Sequence, residues 1–309
     1  MNLSSYNIEQ YLQDGYLLVP QLIDDRTIEA QRKTIESYVD QKIQYLLNAG
    51  KIDNSHEGAS FETRWHLISQ QLDEPKDRPS QWGGRQGLIS SSIYDLYMHD
   101  SLAQLIGLIL GPEINGHGDY WIRCMTQEKA DRALRWHQDS TYFLGQNNRD
   151  TTIDCYPPET VLTVWIPLVD VNETNGCLKV VKGSNQHGAI PFKRDDNRQW
   201  QPIRAINDYG EVTPIPMRVG DVLIFNNLTL HTGGNNTTAT VRWSIDLRYS
   251  PAGQSFNWHQ MGKEVDTRYP VFVAQSEYPA KRMTWDQWLN KWQATADWQE
   301  NQYKPVSVK

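Results

Sequence analysis

Hydrophobic positions along the chain recur at helical spacing first and at strand spacing later. Between about Asp25 and Ala49, the residues Ile28, Ile35, Val39, Ile43 and Leu46/Leu47 fall three, four and seven apart. That is one face of a helix, closed by Gly50. Ile8, Tyr11 and Leu12 predict a shorter helix over residues 4–14, with Ser4 or Ser5 as its cap and Gly15 at its end. Tyr16-Leu17-Leu18-Val19, stopped by Pro20, reads as a strand. Leu96, Leu102, Leu105, Ile106 and Ile109 predict a helix near 95–110 that ends at Gly111-Pro112. Helices with one apolar stripe bury it against another layer, here a sheet.

From about residue 116 the pattern becomes that of strands. Asp119–Thr126, Leu134–Asp139, Val161–Leu168, Cys177–Val181, Val222–Phe225 and Thr240–Tyr249 are rich in β-branched and aromatic residues. Asn175-Gly176, Lys182-Gly183-Ser184, Gly220-Asp221 and Gly233-Gly234 punctuate them as turns. Many short strands so separated predict a sandwich or jelly roll. Two long polar stretches, 51–90 and 185–212, are lid candidates, because long loops on a rigid scaffold carry function. The first contains Arg64, Trp65, His66, Trp82 and Arg85. Over 284–298, Thr284 and Gln287 form a capping-box pattern, and Trp285, Trp288 and Trp292 share one helical face. This helix is expected to dock on the barrel, with a dimer contact as the alternative.

Composition narrows the function. With 309 residues, 39% of them hydrophobic, the chain can bury a sizeable core, and it is read as one domain over 1–309. Its parts would be N-terminal helices over about 4–50, a β core over about 116–250 and a C-terminal extension over 251–309. A net charge of −7 without basic runs argues against nucleic acid. No stretch approaches the ~18 apolar residues of a membrane span, and the N-terminus lacks the pattern of a signal peptide. Three cysteines without metal-site spacing suit a reducing cytoplasm. A homo-oligomer is not indicated.

The candidate chemistry lies on the strands. In Trp136-His137-Gln138-Asp139, residues two apart on an extended chain point to one side, so His137 and Asp139 aim an imidazole and a carboxylate into one volume. His231, far downstream, completes a 2-His-1-carboxylate set of the kind that holds non-haem Fe(II) and leaves positions open. Arg242 follows eleven residues later. In 240–249, Val241, Trp243, Ile245 and Leu247 share one face, and Arg242, Ser244, Asp246 and Arg248 share the other. The second face meets either water or a polar barrel interior. In the interior, Arg242 could grip a carboxylate through two parallel hydrogen bonds. The remaining histidines (His56, His66, His99, His117, His187, His259) show no paired spacing and are read as surface or structural.

These residues carry a resemblance. From Asp14-Gly15-Tyr16 through Leu110-Gly111-Pro112, His137-Gln138-Asp139, Val164-Trp165-Ile166-Pro167-Leu168, Gly176-Cys177-Leu178, Lys182-Gly183-Ser184 and Gly220-Asp221 to His231 with Arg242, the sequence resembles the phytanoyl-CoA dioxygenase family of Fe(II)/2-oxoglutarate-dependent oxygenases. The resemblance covers most of residues 8–250. It implies a mainly β fold with flanking α, a double-stranded β-helix (a cupin-like jelly roll) with N-terminal helices packed outside and a C-terminal helix. It implies His137, Asp139 and His231 as metal ligands and Arg242 as the residue binding the distal carboxylate of 2-oxoglutarate. Gln138, Trp165 and Thr163 are further co-substrate candidates. Some members place a serine two residues after the distal histidine; this chain has Gly233 there, so Thr232 or Ser244 would have to substitute.

The implied reaction consumes O2 and 2-oxoglutarate, releases succinate and CO2, and hydroxylates an unactivated carbon. Related halogenases lack the triad carboxylate, so Asp139 favours hydroxylation or another oxidation: desaturation, epimerisation or ring closure. The rival classes are a non-catalytic jelly-roll ligand-binding protein and a zinc hydrolase, and both leave Arg242 unexplained. Trp65, Trp82, Tyr142, Phe143 and Trp258 could stack a flat or cationic substrate, and Arg64, Arg85 or Arg248 could meet an anion. No basic cluster suggests a CoA phosphate site. The expected substrate is therefore a small molecule, a natural product (secondary metabolite) or an amino-acid derivative.

Overall fold

A computed structural model describes residues 7–73, 81–127, 135–143, 160–195, 200–254 and 270–295. In chain order the elements are α1 (Ile8–Asp14), β1 (Tyr16–Val19), α2 (Asp25–Asn48), α3 (Arg64–Gln70), β2 (Gln81–Trp82), α4 (Ser91–Tyr97), α5 (Asp100–Leu110) and β3 (Ile114–Met125). Then come α6 (Ser140–Phe143), β4 (Leu162–Pro167), β5 (Leu178–Lys182), β6 (Phe192–Arg194), β7 (Trp200–Pro202), β8 (Glu211–Ile215), β9 (Val222–Asn226), β10 (His231–Gly233), β11 (Arg242–Pro251), β12 (Val271–Gln275) and α7 (Trp285–Gln293).

Local chemistry sets most boundaries. Asn7, not Ser4 or Ser5, caps α1 by accepting from the Gln10 amide, and Gly15 ends the helix in the left-handed region at φ 83°. Asp24 caps α2, which buries Ile28, Ile35, Val39, Ile43 and Leu46 as its spacing predicts. The helix expected near 95–110 is two helices, because Ser90 caps α4 and the chain turns at Met98-His99 before α5. Of the strand expected over 134–139, the described residues 135–139 show only a single bridge, from His137 to His231, followed by α6. The lid candidate 185–212 contains the β6–β7 hairpin, which has its own small apolar cluster of Val181, Ile190, Phe192, Trp200, Tyr209 and Leu230. The other lid candidate contains α3 and β2. Cys124 and Cys177 are buried, and Cys155 lies outside the described residues.

The strands form two principal antiparallel sheets. The larger runs β1-β9-β4-β11-β3-β12, with β2 also paired to β3; the smaller runs β10-β5-β8. This is the jelly-roll arrangement expected from the sequence. β11 sits inside the larger sheet between β4 and β3, and both of its faces are buried. On the helix side, Trp243 stacks on Phe61 at 5.3 Å and meets Trp82, which in turn packs on Trp65 and Tyr38 of α2. On the other side, Arg242, Asp246 and Arg248 line an internal cavity. The alternation along 240–249 therefore marks a polar interior, not a water-facing strand. No described helix is long and apolar enough to cross a membrane.

The helix α7 docks on this frame. Thr284 and Gln287 form the full capping box. Trp288 and Trp292 are at most 1% exposed, and both pack against Tyr120 of β3. Two glycines make room: a Cβ on Gly84 would lie 2.2 Å from the Trp292 ring, and one on Gly118 would lie 2.9 Å from it. Truncating Trp292 should cost about 3–5 kcal/mol, the range for a buried tryptophan or phenylalanine. Urea unfolding of Trp292→Ala should show this loss with a midpoint independent of protein concentration. A concentration-dependent midpoint would mean that the helix serves a dimer instead.

Candidate metal centre and anion site

The site begins with two backbone hydrogen bonds. The His137 amide donates to the His231 carbonyl at 3.0 Å, and the His231 amide donates to the His137 carbonyl at 2.9 Å. This bridge joins the segment before α6 to β10 and sets the two imidazoles 4.2 Å apart, centre to centre. The chain then bends so that Asp139 follows on the same side. Asp139 Oδ1 lies 3.7 Å from His137 Nε2 and 3.8 Å from His231 Nε2. The three potential ligand atoms all lie within 4.8 Å of one another, and all three residues are buried.

The histidine tautomers follow from the far side of each ring. His137 Nδ1 is 2.7 Å from the Arg135 carbonyl, and His231 Nδ1 is 2.9 Å from the Thr229 carbonyl. A carbonyl only accepts, so each Nδ1 carries the proton and each Nε2 presents a lone pair inward. Burial pushes the His137 imidazole down to about 3, with His231 beside it adding to the effect, and burial also lowers His231. Burial works to raise the Asp139 carboxyl, but Arg248, the two histidines and the Thr163 hydroxyl together hold it below the usual carboxylate range. At neutral pH the cluster therefore offers two neutral imidazoles and one carboxylate. That donor set suits a divalent transition metal and fits iron(II).

Arg242 closes the other end. The cavity of about 210 Å³ includes the three potential ligands, Thr163, Trp165, Arg242 and Gly233. Arg242 is 3% exposed, its Nη1 donates to Ser244 Oγ at 2.7 Å, and its Cζ sits 5.6 Å from the Trp165 ring centre. Among the described residues no carboxylate pairs with it, and its buried Nε has no hydrogen-bond partner. Burial, with Arg123 nearby, lowers its pKa to about 10. A buried guanidinium without a counter-ion is costly, so the pocket is built to receive an anion. Of the two hydroxyls considered, that of Ser244 is the one bonded to Arg242, while Thr232 lines a separate hollow beside Arg135 and Trp136.

The other candidates divide. Trp165 and Arg248 line the cavity. Thr163 lines it too, but its hydroxyl donates to Asp139 Oδ2. Gln138 does not line it: its amide donates to the Gly188 and Leu228 carbonyls and accepts from the Ile190 amide, tying the neighbouring loop down. Arg64 pairs with Asp40 at 2.6 Å, and Trp82 and Trp65 are core residues at 1% exposure. Arg85, in the short turn Gly84–Gln86, is not among the cavity residues. Tyr142 and Phe143 lie in α6 with side chains outside the description, as is all of Trp258. Sequence reasoning missed Gln81, Arg123 and Asp246. For Asp246 the signal was present, since it shares a strand face with Arg242.

A family model of phytanoyl-CoA dioxygenase (PhyH) matches residues 11–244. Human peroxisomal phytanoyl-CoA dioxygenase is 20% identical over 255 residues, covering 78% of this chain and 67% of the human protein. Ectoine dioxygenase from Bordetella bronchiseptica is 21% identical over 274 residues, covering 82% of this chain and 78% of the relative. Among solved structures, the epimerase SnoN in complex with Fe3+, alpha ketoglutarate and nogalamycin RO aligns with a TM-score of 0.52 at 20% identity. It covers 85% of this chain and 92% of SnoN, a likeness of fold.

Iron(II) supplied without oxygen at one hundred times its dissociation constant should stabilise the folded protein by about 2.7 kcal/mol. Thermal or urea unfolding with and without metal measures this. The gain should vanish in His231→Ala, and an equal gain in that variant would place the metal elsewhere.

Proposed function

The chain belongs to the phytanoyl-CoA dioxygenase family, and on that premise we propose that it hydroxylates an unactivated carbon of a small organic molecule, a natural product or an amino-acid derivative. It is an iron(II)- and 2-oxoglutarate-dependent oxygenase. The observation that carries the proposal to named residues is Arg242, a buried cation without a carboxylate partner among the described residues, in the same cavity as an intact His137, Asp139, His231 set. A metal hydrolase or a simple binding protein has no use for that pairing.

In this reading His137 Nε2, His231 Nε2 and Asp139 hold the metal. Arg242 grips the distal carboxylate of 2-oxoglutarate, with Ser244 orienting its fork and Trp165 flanking it. Iron and co-substrate supply the oxidising chemistry: O2 is reduced as 2-oxoglutarate loses CO2 to give succinate, and a substrate C–H bond is oxidised. The protein supplies placement and dryness. Met125, Leu178 and Phe225 line the same cavity and keep water from its walls, and Phe225 packs 4.4 Å from the His231 ring, centre to centre. Desaturation, epimerisation and ring closure use the same machinery and differ in where the substrate carbon sits. The epimerase named above keeps epimerisation in view as a second reaction type.

Asp139→Ala should abolish succinate release driven by substrate. Arg242→Ala should raise the apparent KM for 2-oxoglutarate well above tenfold, on the scale of a lost hydrogen bond to a charged group, about 1.5–3 kcal/mol. If Arg242→Ala changed only the KM of the main substrate, the co-substrate anchor would lie elsewhere.

A further inference from the structure

The two oxygens of Asp139 have different neighbours. Oδ1 is the atom that approaches both histidines, at 3.7 and 3.8 Å. Oδ2 accepts a hydrogen bond from the Thr163 hydroxyl and lies 3.5 Å from Arg248 Nε. Strand register explains why both reach the same oxygen: Arg248 on β11 is directly opposite Thr163 on β4. Arg248 is itself fixed. Its Nη1 is 2.7 Å from Asp246 Oδ2, and Asp246 also takes Arg123 through Nε at 2.8 Å and Nη2 at 3.1 Å. One buried carboxylate thus anchors two guanidinium groups, and one of these reaches the third member of the triad.

We propose that Thr163 and Arg248 are positioning residues that reserve Asp139 Oδ2, so that Asp139 offers a metal one oxygen, and that Asp246 holds Arg248 in place for this. The inference rests on the reading of His137, Asp139 and His231 as a metal site. A carboxylate with both oxygens free can swing to bind a divalent ion through both. Here that swing requires breaking the hydroxyl bond and separating a buried ion pair. Holding one oxygen back leaves a coordination position for another ligand, which a site with open positions requires. Groups bonded to a liganding side chain commonly set its orientation, and their loss costs about 10–100-fold in affinity. The arrangement also gives Arg248 a task other than meeting a substrate anion, since its Nη1 and Nε already face carboxylates.

The test is anaerobic titration of the purified full-length protein with Co(II), a visible-absorbing stand-in for iron(II). It reads affinity together with the intensity of the ligand-field bands, which reports coordination number. Wild type should bind one Co(II) per chain, and His137→Ala should not. Thr163→Val keeps the shape and removes the hydroxyl; it should fold, weaken Co(II) binding about tenfold or more and change the band intensity. Thr163→Ser keeps the hydroxyl and should restore both readings. Arg248→Met should move them in the same direction as Thr163→Val, and if it does not fold, the Thr163 pair decides. Wild-type affinity and spectrum in Thr163→Val would overturn the proposal and leave the metal site standing. Failure of wild type itself to bind would remove the site and the proposal together.

Discussion

Everything at the site depends on one pair of backbone hydrogen bonds, between His137 and His231. These residues are far apart in sequence and belong to different segments, yet the bridge makes them neighbours with fixed ring separation. Because the bonds are made by the main chain, they do not depend on the side chains they position. The side chains are then oriented a second time, from behind, by the carbonyls of Arg135 and Thr229. Those carbonyls come from residues two before each histidine, so each ring is fixed by its own chain segment. An imidazole held in this way loses little freedom when its inward nitrogen gains a ligand.

The second constraint is the burial of both faces of β11. A strand in the middle of a sheet, with an aromatic layer on one side and a cavity lined by buried residues on the other, offers its polar side chains little water. Arg242, Asp246 and Arg248 must therefore satisfy one another or a ligand. Asp246 and Arg248 do so within the protein, with Arg123 joining from β3. Arg242 has only the Ser244 hydroxyl and no carboxylate partner among the described residues. Arg248 has carboxylates within ion-pair distance and Arg242, six residues away on the same strand, has none among the described residues, a contrast that residue type alone does not show.

Much of this was legible in the sequence, and what was missed has physical causes. The period of apolar positions located α1, α2, α5 and α7 and the strands β1, β3, β4, β5, β9 and β11, because these elements bury a consistent face. It did not reveal that residues near 95–110 form two helices, since a capped break preserves the apolar spacing on both sides. It also did not find β8 or β12, where flanking residues are mixed and half-buried. The triad and Arg242 could be named because their chemistry is rare in combination. Trp65 and Trp82 could not be told from a substrate platform, because a tryptophan in a polar stretch carries no mark of whether the fold will cover it. Arg123 was invisible for another reason: its importance comes from strand register, which places it opposite Ser244, and register is a property of pairs of strands.

The contact of Trp292 with Gly84 and Gly118 has a consequence for anyone changing what this protein recognises. The same short segment that presents Gly84 to the indole also carries Gln81 to the cavity, hydrogen-bonded to Arg123. The C-terminal helix lies beyond the 11–244 span matched by the family, yet it sets where that segment sits. Chimeras that exchange the jelly roll at its apparent end would therefore separate a ring from the two gaps cut for it. For directed evolution, Gly84, Gly118 and Trp292 form a single heritable unit of volume. They should be transplanted or randomised together, although no two of them are close in sequence.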